Sequence, residues 1–257
     1  MIKFTKQADI KGSLLLLSFT SVGLTGNFTS SLLMNNNHFE NIGFLFSHYL
    51  HAYAGLNEKT GGVIFNGQVY FNEEKKFLLI NFHAGVAHHN RNKFSQEIVE
   101  IFQQYTMRGI VIYGGTSKSL LNDEILLSKT VEVYYLTNQQ SFNGESYSVK
   151  NFENLVKMED KKKPFEEVKY LEGIGVAKHL IKFLSKKCVN FHYLFSYSNE
   201  LFDPMAGLAV YNRLCLLLGL GTEILNVSNY NIDYSTFLEK LESQYKLEKT
   251  WKLFLRE

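Results

Sequence analysis

The chain has 257 residues, 45% hydrophobic and 14% aromatic, enough apolar material for a substantial core and unlike the composition of a disordered segment. Lys and Arg outnumber Asp and Glu by only 27 to 25, which excludes attachment to nucleic acid or a membrane surface by net charge alone. The two cysteines, Cys188 and Cys215, sit in apolar stretches without metal-ligand spacing; they read as reduced core thiols in a cytosolic compartment, with which a nuclear pool is compatible.

In chain order, "SLLLLSFT" (13 to 20) and "IGFLF" (42 to 46) lack polar alternation, as expected of strands buried on both faces. The four leucines are too few to span a bilayer and no small-residue cleavage site follows, so neither an export signal nor a membrane anchor is expected. Between the two strands the turn "SVGLTG" (21 to 26) leads into a helical stretch beginning "NFTSSLLM". "VIFNGQVYF" (63 to 71) and "KFLLINF" (76 to 82) flank the charged turn "NEEKK" and predict an antiparallel hairpin in the same sheet. "SQEIVEIFQQY" (95 to 105) aligns Ile98, Ile101, Phe102 and Tyr105 on one helical face, and "GIVIYGG" (109 to 115) and "VEVYYL" (131 to 136) are further strands.

The polar stretch from Asn138 to Lys163 reads as an exposed excursion near 138–165, with "VKNFENLVKM" as a short helix inside it. A helix over 175 to 188 and a strand over 190 to 198 follow. "DPMAGLAVYNRLCLLLGLG" (203 to 221) has Asp203 at the N-cap, Pro204 at the first helical position and a glycine pair at the end. This last helix has almost no polar face, so it is either central to its own domain or part of a protein interface. The whole is expected to be a single α/β domain over residues 1–257, a mixed sheet flanked by helices in three layers.

A glycine-bearing turn between a buried strand and a helix start is a common phosphate site. A P-loop needs Lys and Ser or Thr directly after its last glycine, but Asn27 and Phe28 follow Gly26. A dinucleotide fold needs an acidic residue after the next strand, where Ser47 and His48 stand. Gly23 and Gly26 are better explained by a tight turn and close helix packing. "GGTSKS" (114 to 119) carries Ser117 and Ser119 at a strand end but no nucleophile elbow, and Asp123 and Glu124 serve equally as helix caps. His83, His88 and His89 lack a carboxylate or thiol to complete a metal site, while His179 and His192 fit core or boundary positions. No catalytic set, cofactor site or metal site is expected; the pattern points to a binding protein.

On these segments the chain resembles the proteasome assembly chaperone 2 family, whose members begin with a strand and an "SVG-x-x-G" turn, matched here by Ser21, Val22, Gly23 and Gly26. The likeness continues through "NIGFLFSHYL" (41 to 50), the 67 to 82 hairpin, "LEGIGVAKHL" (171 to 180), "AGLAVYNRL" (206 to 214) and "TWKLFL" (250 to 255). Leu24 and Thr25 stand where the family carries Asn and Val. The resemblance implies a chaperone without enzymatic activity, with a fold similar to nucleoside phosphorylases lacking their active site. It further implies pairing with a proteasome assembly chaperone 1-like subunit and binding to proteasome α subunits during ring assembly. A C-terminal hydrophobic-tyrosine-any tripeptide of the chaperone pair is absent from Leu255, Arg256 and Glu257, so the partner is expected to supply it.

The predicted partner contacts are Tyr211, Leu214 and Leu218 on the apolar helix, with Trp251, Phe254 and Leu255 as anchors near the C-terminus. The alternative function is a nucleoside phosphorylase-like or hydrolytic enzyme using the loops at 23 to 26 and 114 to 119.

Overall fold

The computed structural model describes residues 1–56, 61–118, 131–138, 156–157, 173–199 and 201–220. Its strands are β1 (Ile2–Phe4), β2 (Leu14–Ser18), β3 (Glu40–Leu45), β4 (Ala54–Leu56), β5 (Val63–Phe65), β6 (Gln68–Asn72), β7 (Phe77–Asn81), β8 (Gly109–Ser117), β9 (Val133–Thr137), β10 (Val156–Lys157) and β11 (Phe191–Ser198). The helices are α1 (Thr25–Asn36), α2 (Arg91–Gln104), α3 (Val176–Lys186) and α4 (Pro204–Leu218).

The leucine run in β2 shows how the layers arise. Successive side chains of a strand point to opposite faces. Leu15 and Leu17 join Leu78, Ile80, Ile110 and Ile112 in one core, packed by α2 and α3. Leu14 and Leu16 join Leu79, Val111 and Tyr113 in the other, packed by α1 and α4. Both faces are therefore dry, which is why the strand shows no polar alternation; each buried leucine contributes about 2 kcal/mol.

Among the described residues nine strands form one mixed sheet in the order β1-β3-β6-β7-β2-β8-β11-β9-β10. β7, β2, β8 and β11 are mutually parallel, while β6 pairs antiparallel with β7, β3 with β6, and β9 with β11. The expected three-layer mixed α/β architecture is the observed one, with the parallel strands at its centre.

Three local expectations are corrected. The segment 63 to 71 is not one strand. Gly67 adopts φ +72° beside the buried Asn66, and the chain turns there. The Asn66 amide holds the turn by donating to the His51 and Ala84 carbonyls while accepting from the His83 and Ala84 amides. β5 is thereby diverted into a separate two-stranded ribbon with β4. Secondly, within the stretch expected as a helix, Val156–Lys157 are extended and pair in parallel with Tyr134 and Tyr135; the rest of it lies outside the described residues. Thirdly, Cys188 is exposed instead of core, because it occupies a left-handed position (φ +52°) just past the end of α3; Cys215 is buried.

Candidate functional site

Central parallel strands deliver their C-terminal ends to one edge of the sheet, where α/β proteins usually hold ligands. Here that edge carries the ends of β2, β8 and β11 together with the N-termini of α1 and α4. After β2 the chain passes through a 3-10 turn, Val22–Leu24, with Gly23 at φ +67° and Leu24 at φ +50°. Leu24 pays a left-handed cost of about 1 kcal/mol, which the packing around it must offset.

The space between these elements is occupied by backbone. A Cβ on Gly23 would stand 2.8 Å from Ser198 Cβ and 2.9 Å from the Asn199 carbonyl oxygen. One on Gly115 would stand 2.3 Å from the Val22 carbonyl oxygen and 2.6 Å from both Ser198 Oγ and Thr25 Oγ1. On Gly26 it would meet Ser18 Oγ at 2.8 Å. Where a phosphate would sit, the turn, the β8 end and the β11 end touch one another.

Their polar groups are spent on the same closure. Ser21 Oγ accepts from the Gly115 amide (3.0 Å) and the Gly26 amide (3.4 Å). Thr25 Oγ1 donates to the Val22 carbonyl (3.1 Å) and lies 2.7 Å from Ser198 Oγ. Asp203 is 2% exposed; its Oδ1 caps α4 by accepting from the Ala206 amide (3.0 Å) and its Oδ2 accepts from the Asn199 amide (3.0 Å). Its own amide donates to the Gly23 carbonyl at 3.0 Å. Lys118 Nζ, from the residue after β8, lies 3.5 Å from Asp203 Oδ2 and donates to Asn199 Oδ1 at 3.3 Å. Lys118 and Asp203 thus compensate each other.

Behind this edge α1 is buried from Thr25 to Leu33, polar residues included. Thr29 Oγ1 donates to the Gly207 carbonyl on α4 (2.9 Å), and Ser30 Oγ lies 2.7 Å from the Tyr113 hydroxyl, which burial holds above its ordinary range. Asn27 Nδ2 donates to the Phe82 carbonyl at 2.9 Å and to Asn81 Oδ1 at 3.3 Å. At the α1–α4 crossing a Cβ on Gly207 would meet the Phe28 ring at 2.6 Å. Sequence reasoning missed Thr29, Ser30 and Gly207 as packing residues; their signal was a helix unusually rich in small hydroxyl residues facing a glycine in an otherwise apolar helix.

The predicted partner contacts fall in two groups. Tyr211 and Leu214 are fully buried and Leu218 is 3% exposed, all within the chain's own core against α1 and the sheet. Asn37 Nδ2 donates to the Tyr211 hydroxyl at 3.3 Å. These three side chains present no free surface, because their own chain covers the helix; Arg213 and Leu216 form its part-exposed side. Trp251, Phe254 and Leu255 lie outside the described residues, as does Ser119.

The histidines do not converge. His83 is half-buried and stacked on Tyr53 (ring centroids 5.3 Å apart), and burial pushes it down to about 4. His88 and His89 are exposed in a 3-10 turn. His179 Nδ1 pairs with Asn92 Oδ1 at 2.9 Å. Among the described residues no group of three or more His, Cys, Asp or Glu side chains is placed to hold a metal ion, and no helix is long and apolar enough to cross a membrane. An open groove of about 540 Å³ lies at the opposite edge of the sheet, where β3 begins and β6 ends, with His38, Glu40, Asn72, Glu73 and Glu74 among its lining residues; it contains no nucleophile paired with a base.

The chain matches the PAC2 family model over residues 15–228. No curated protein sequence matches it. Among solved structures, Pyrococcus furiosus PbaA, an archaeal homolog of proteasome-assembly chaperone, has a TM-score of 0.64 at 16% identity, covering 95% of this chain and 89% of that one. Pyrococcus furiosus PbaB, an archaeal proteasome activator, has a TM-score of 0.66 at 15% identity, with coverage of 94% and 98%. A PAC2 family protein from Streptomyces avermitilis has a TM-score of 0.54 at 14% identity, with coverage of 84% and 89%. At these identities the likeness is one of fold.

Proposed function

The chain belongs to the PAC2 family, and from that membership we propose that it is a proteasome-assembly chaperone subunit acting through protein surfaces and not through catalysis. It pairs with a related chaperone chain, and the pair engages proteasome α subunits while their ring forms. The observation that carries this reading is the closed strand-end edge. The glycines that in an enzyme would leave room for substrate are used here to bring Val22, Ser198 and Asp203 into contact. Support also comes from two solved relatives of the same fold, one a homolog of proteasome-assembly chaperone and the other a proteasome activator.

The proposed chaperone contact lies beside Tyr211, Leu214 and Leu218, on the side of α4 where Arg213 and Leu216 are part-exposed, with Trp251, Phe254 and Leu255 completing it. Affinity purification of the tagged chain from its native cell tests the reading. Proteasome α subunits and one related chaperone chain are the expected co-purifying proteins. Recovery without any proteasome subunit overturns it, as does measured turnover of a nucleoside or phosphate compound.

A further inference from the structure

Both exposed positions of α3 are lysines, Lys182 and Lys186, and the half-buried Lys178 lies one turn before them. Standing at i, i+4 and i+8, the three form a row about 12 Å long on one face of a helix that contains no Asp or Glu. The start of α2, which packs against α3, adds further cations. His179 Nδ1 lies 2.9 Å from Asn92 Oδ1, and burial, followed by the charges of Arg91, His88, Lys178 and Lys182, holds that imidazole below its ordinary range. No carboxylate answers this cluster. Among the described residues Arg91, Lys182 and Lys186 make no ion pair, and Arg91 Nε is buried without a hydrogen-bond partner. The carboxylates of α2 are engaged with other groups, Glu97 accepting from Ser47 Oγ and Glu100 from Gln96 Nε2.

We propose that the α2–α3 face is a docking surface for an acidic segment of a partner protein, whose carboxylates pair with Arg91, Lys182 and Lys186. Charge selects an anionic occupant. Like charges four residues apart weaken a helix, as Lys178, Lys182 and Lys186 do, and cations in a first turn oppose the helix dipole, as Arg91, Lys93 and Lys178 do. Neither helix offsets this with a side-chain cap or an acidic residue in its first turn. An arriving carboxylate relieves both repulsions at once. Spacing selects a polypeptide: the lysines rise about 6 Å apart along the helix, close to the ~6.6 Å between alternate residues of an extended strand, so every second acidic side chain meets a cation. Nucleic acid is matched less well, because Phe94, Phe102 and Phe183, the phenyl rings of these helices, pack against the core and leave no platform for a base.

The inference goes beyond the chaperone reading and does not depend on it, since α2 and α3 cover one face of the sheet and α4 the other. Fluorescence anisotropy of the full chain with labelled ten-residue glutamate and glutamine peptides tests it. The glutamate peptide is expected to bind at least about tenfold more tightly than the glutamine peptide, to weaken as salt rises, and to lose about tenfold in the double variant Arg91→Gln, Lys182→Gln. The control Lys3→Gln, Lys11→Gln removes two exposed cations elsewhere and should leave binding unchanged. Should the first variant lose its fold, Lys182→Gln, Lys186→Gln reads the same row from exposed positions. Equal affinity for the two peptides, binding indifferent to the folded row variants, or tighter binding of a ten-nucleotide single strand or of phosphatidylserine vesicles overturns the proposal.

Discussion

The Val22 carbonyl oxygen stands where a Cβ on Gly115 would come within 2.3 Å of it, so a turn following the first central strand and the interior of the next strand in space are in backbone contact. The contact converts the usual ligand crevice of a parallel sheet into a packed joint between β2, β8, β11 and α4. It also makes the joint sensitive to single atoms.

Gly115→Ala is expected to lower unfolding free energy by about 3 kcal/mol, because the new methyl group meets backbone and two hydroxyls that have no room to move. Gly12→Ala is the control. Gly12 has φ +70° but nothing within 4 Å of the new atom, so only the conformational term of about 1 kcal/mol is lost. Urea denaturation of both variants separates the steric effect from the conformational one.

Tyr113→Phe strands the buried Ser30 hydroxyl, 2.7 Å from its partner in the native chain, and is expected to cost about 1–3 kcal/mol. Adding Ser30→Ala removes the orphaned group. The double variant should therefore lose less than the sum of the single losses, which a double-mutant cycle measures.

Asp203→Ala removes the α4 cap, the bond to the Asn199 amide and the partner of Lys118 together. About 2 kcal/mol of stability is expected to disappear in chemical denaturation, with Asp203→Asn retaining most of it. Lys118→Met, which touches only the partly exposed end of the network, should cost well under that.

Leu214→Ala is expected to destabilise the isolated chain by about 2–5 kcal/mol, since the side chain is fully buried within its own core. The effect should appear in the thermal midpoint of the chain alone, before any partner is added.

Acid should weaken the fold well before carboxylates titrate. His192 is 2% exposed and burial pushes it down to about 3; His83 is held at about 4 for the same reason. Both folded values lie below the unfolded value of 6.5, so the unfolded chain binds the extra protons. Stability is full above pH 6.5 and falls as pH drops toward the folded values; His192 alone accounts for about 2 kcal/mol of loss by pH 5. Comparing urea midpoints at pH 7 and pH 5 checks this, and His192→Gln should flatten the dependence.

Much of this was legible from local signals. Asp203, Pro204 and Gly219 marked α4 because caps, proline and a left-handed stop act over a few residues. The unalternating leucines of β2 announced a strand dry on both faces. Gly23 and Gly26 read correctly as turn and packing residues, because the side chains that phosphate binding requires are missing from adjacent positions. Less visible was the break at Asn66 and Gly67: the amide that holds it bonds to His51, His83 and Ala84, which are distant from it along the chain.

What the sequence by itself determined was therefore the set of elements, their order and the lack of a local phosphate motif, since each depends on periodicity or on neighbours a few positions apart. Only the tertiary structure decided what those elements do to one another. Val22 meets Gly115, Thr25 meets Ser198, and α1 shelters Tyr211, pairs far apart along the chain that come together because four parallel strands end at one edge. The same holds for β5: Val63 and Phe65, which read as part of a sheet strand, are exposed because the chain turns at Gly67 and leaves them off the main sheet. Hydrophobicity is written in the residues, but burial belongs to the neighbours that the fold supplies.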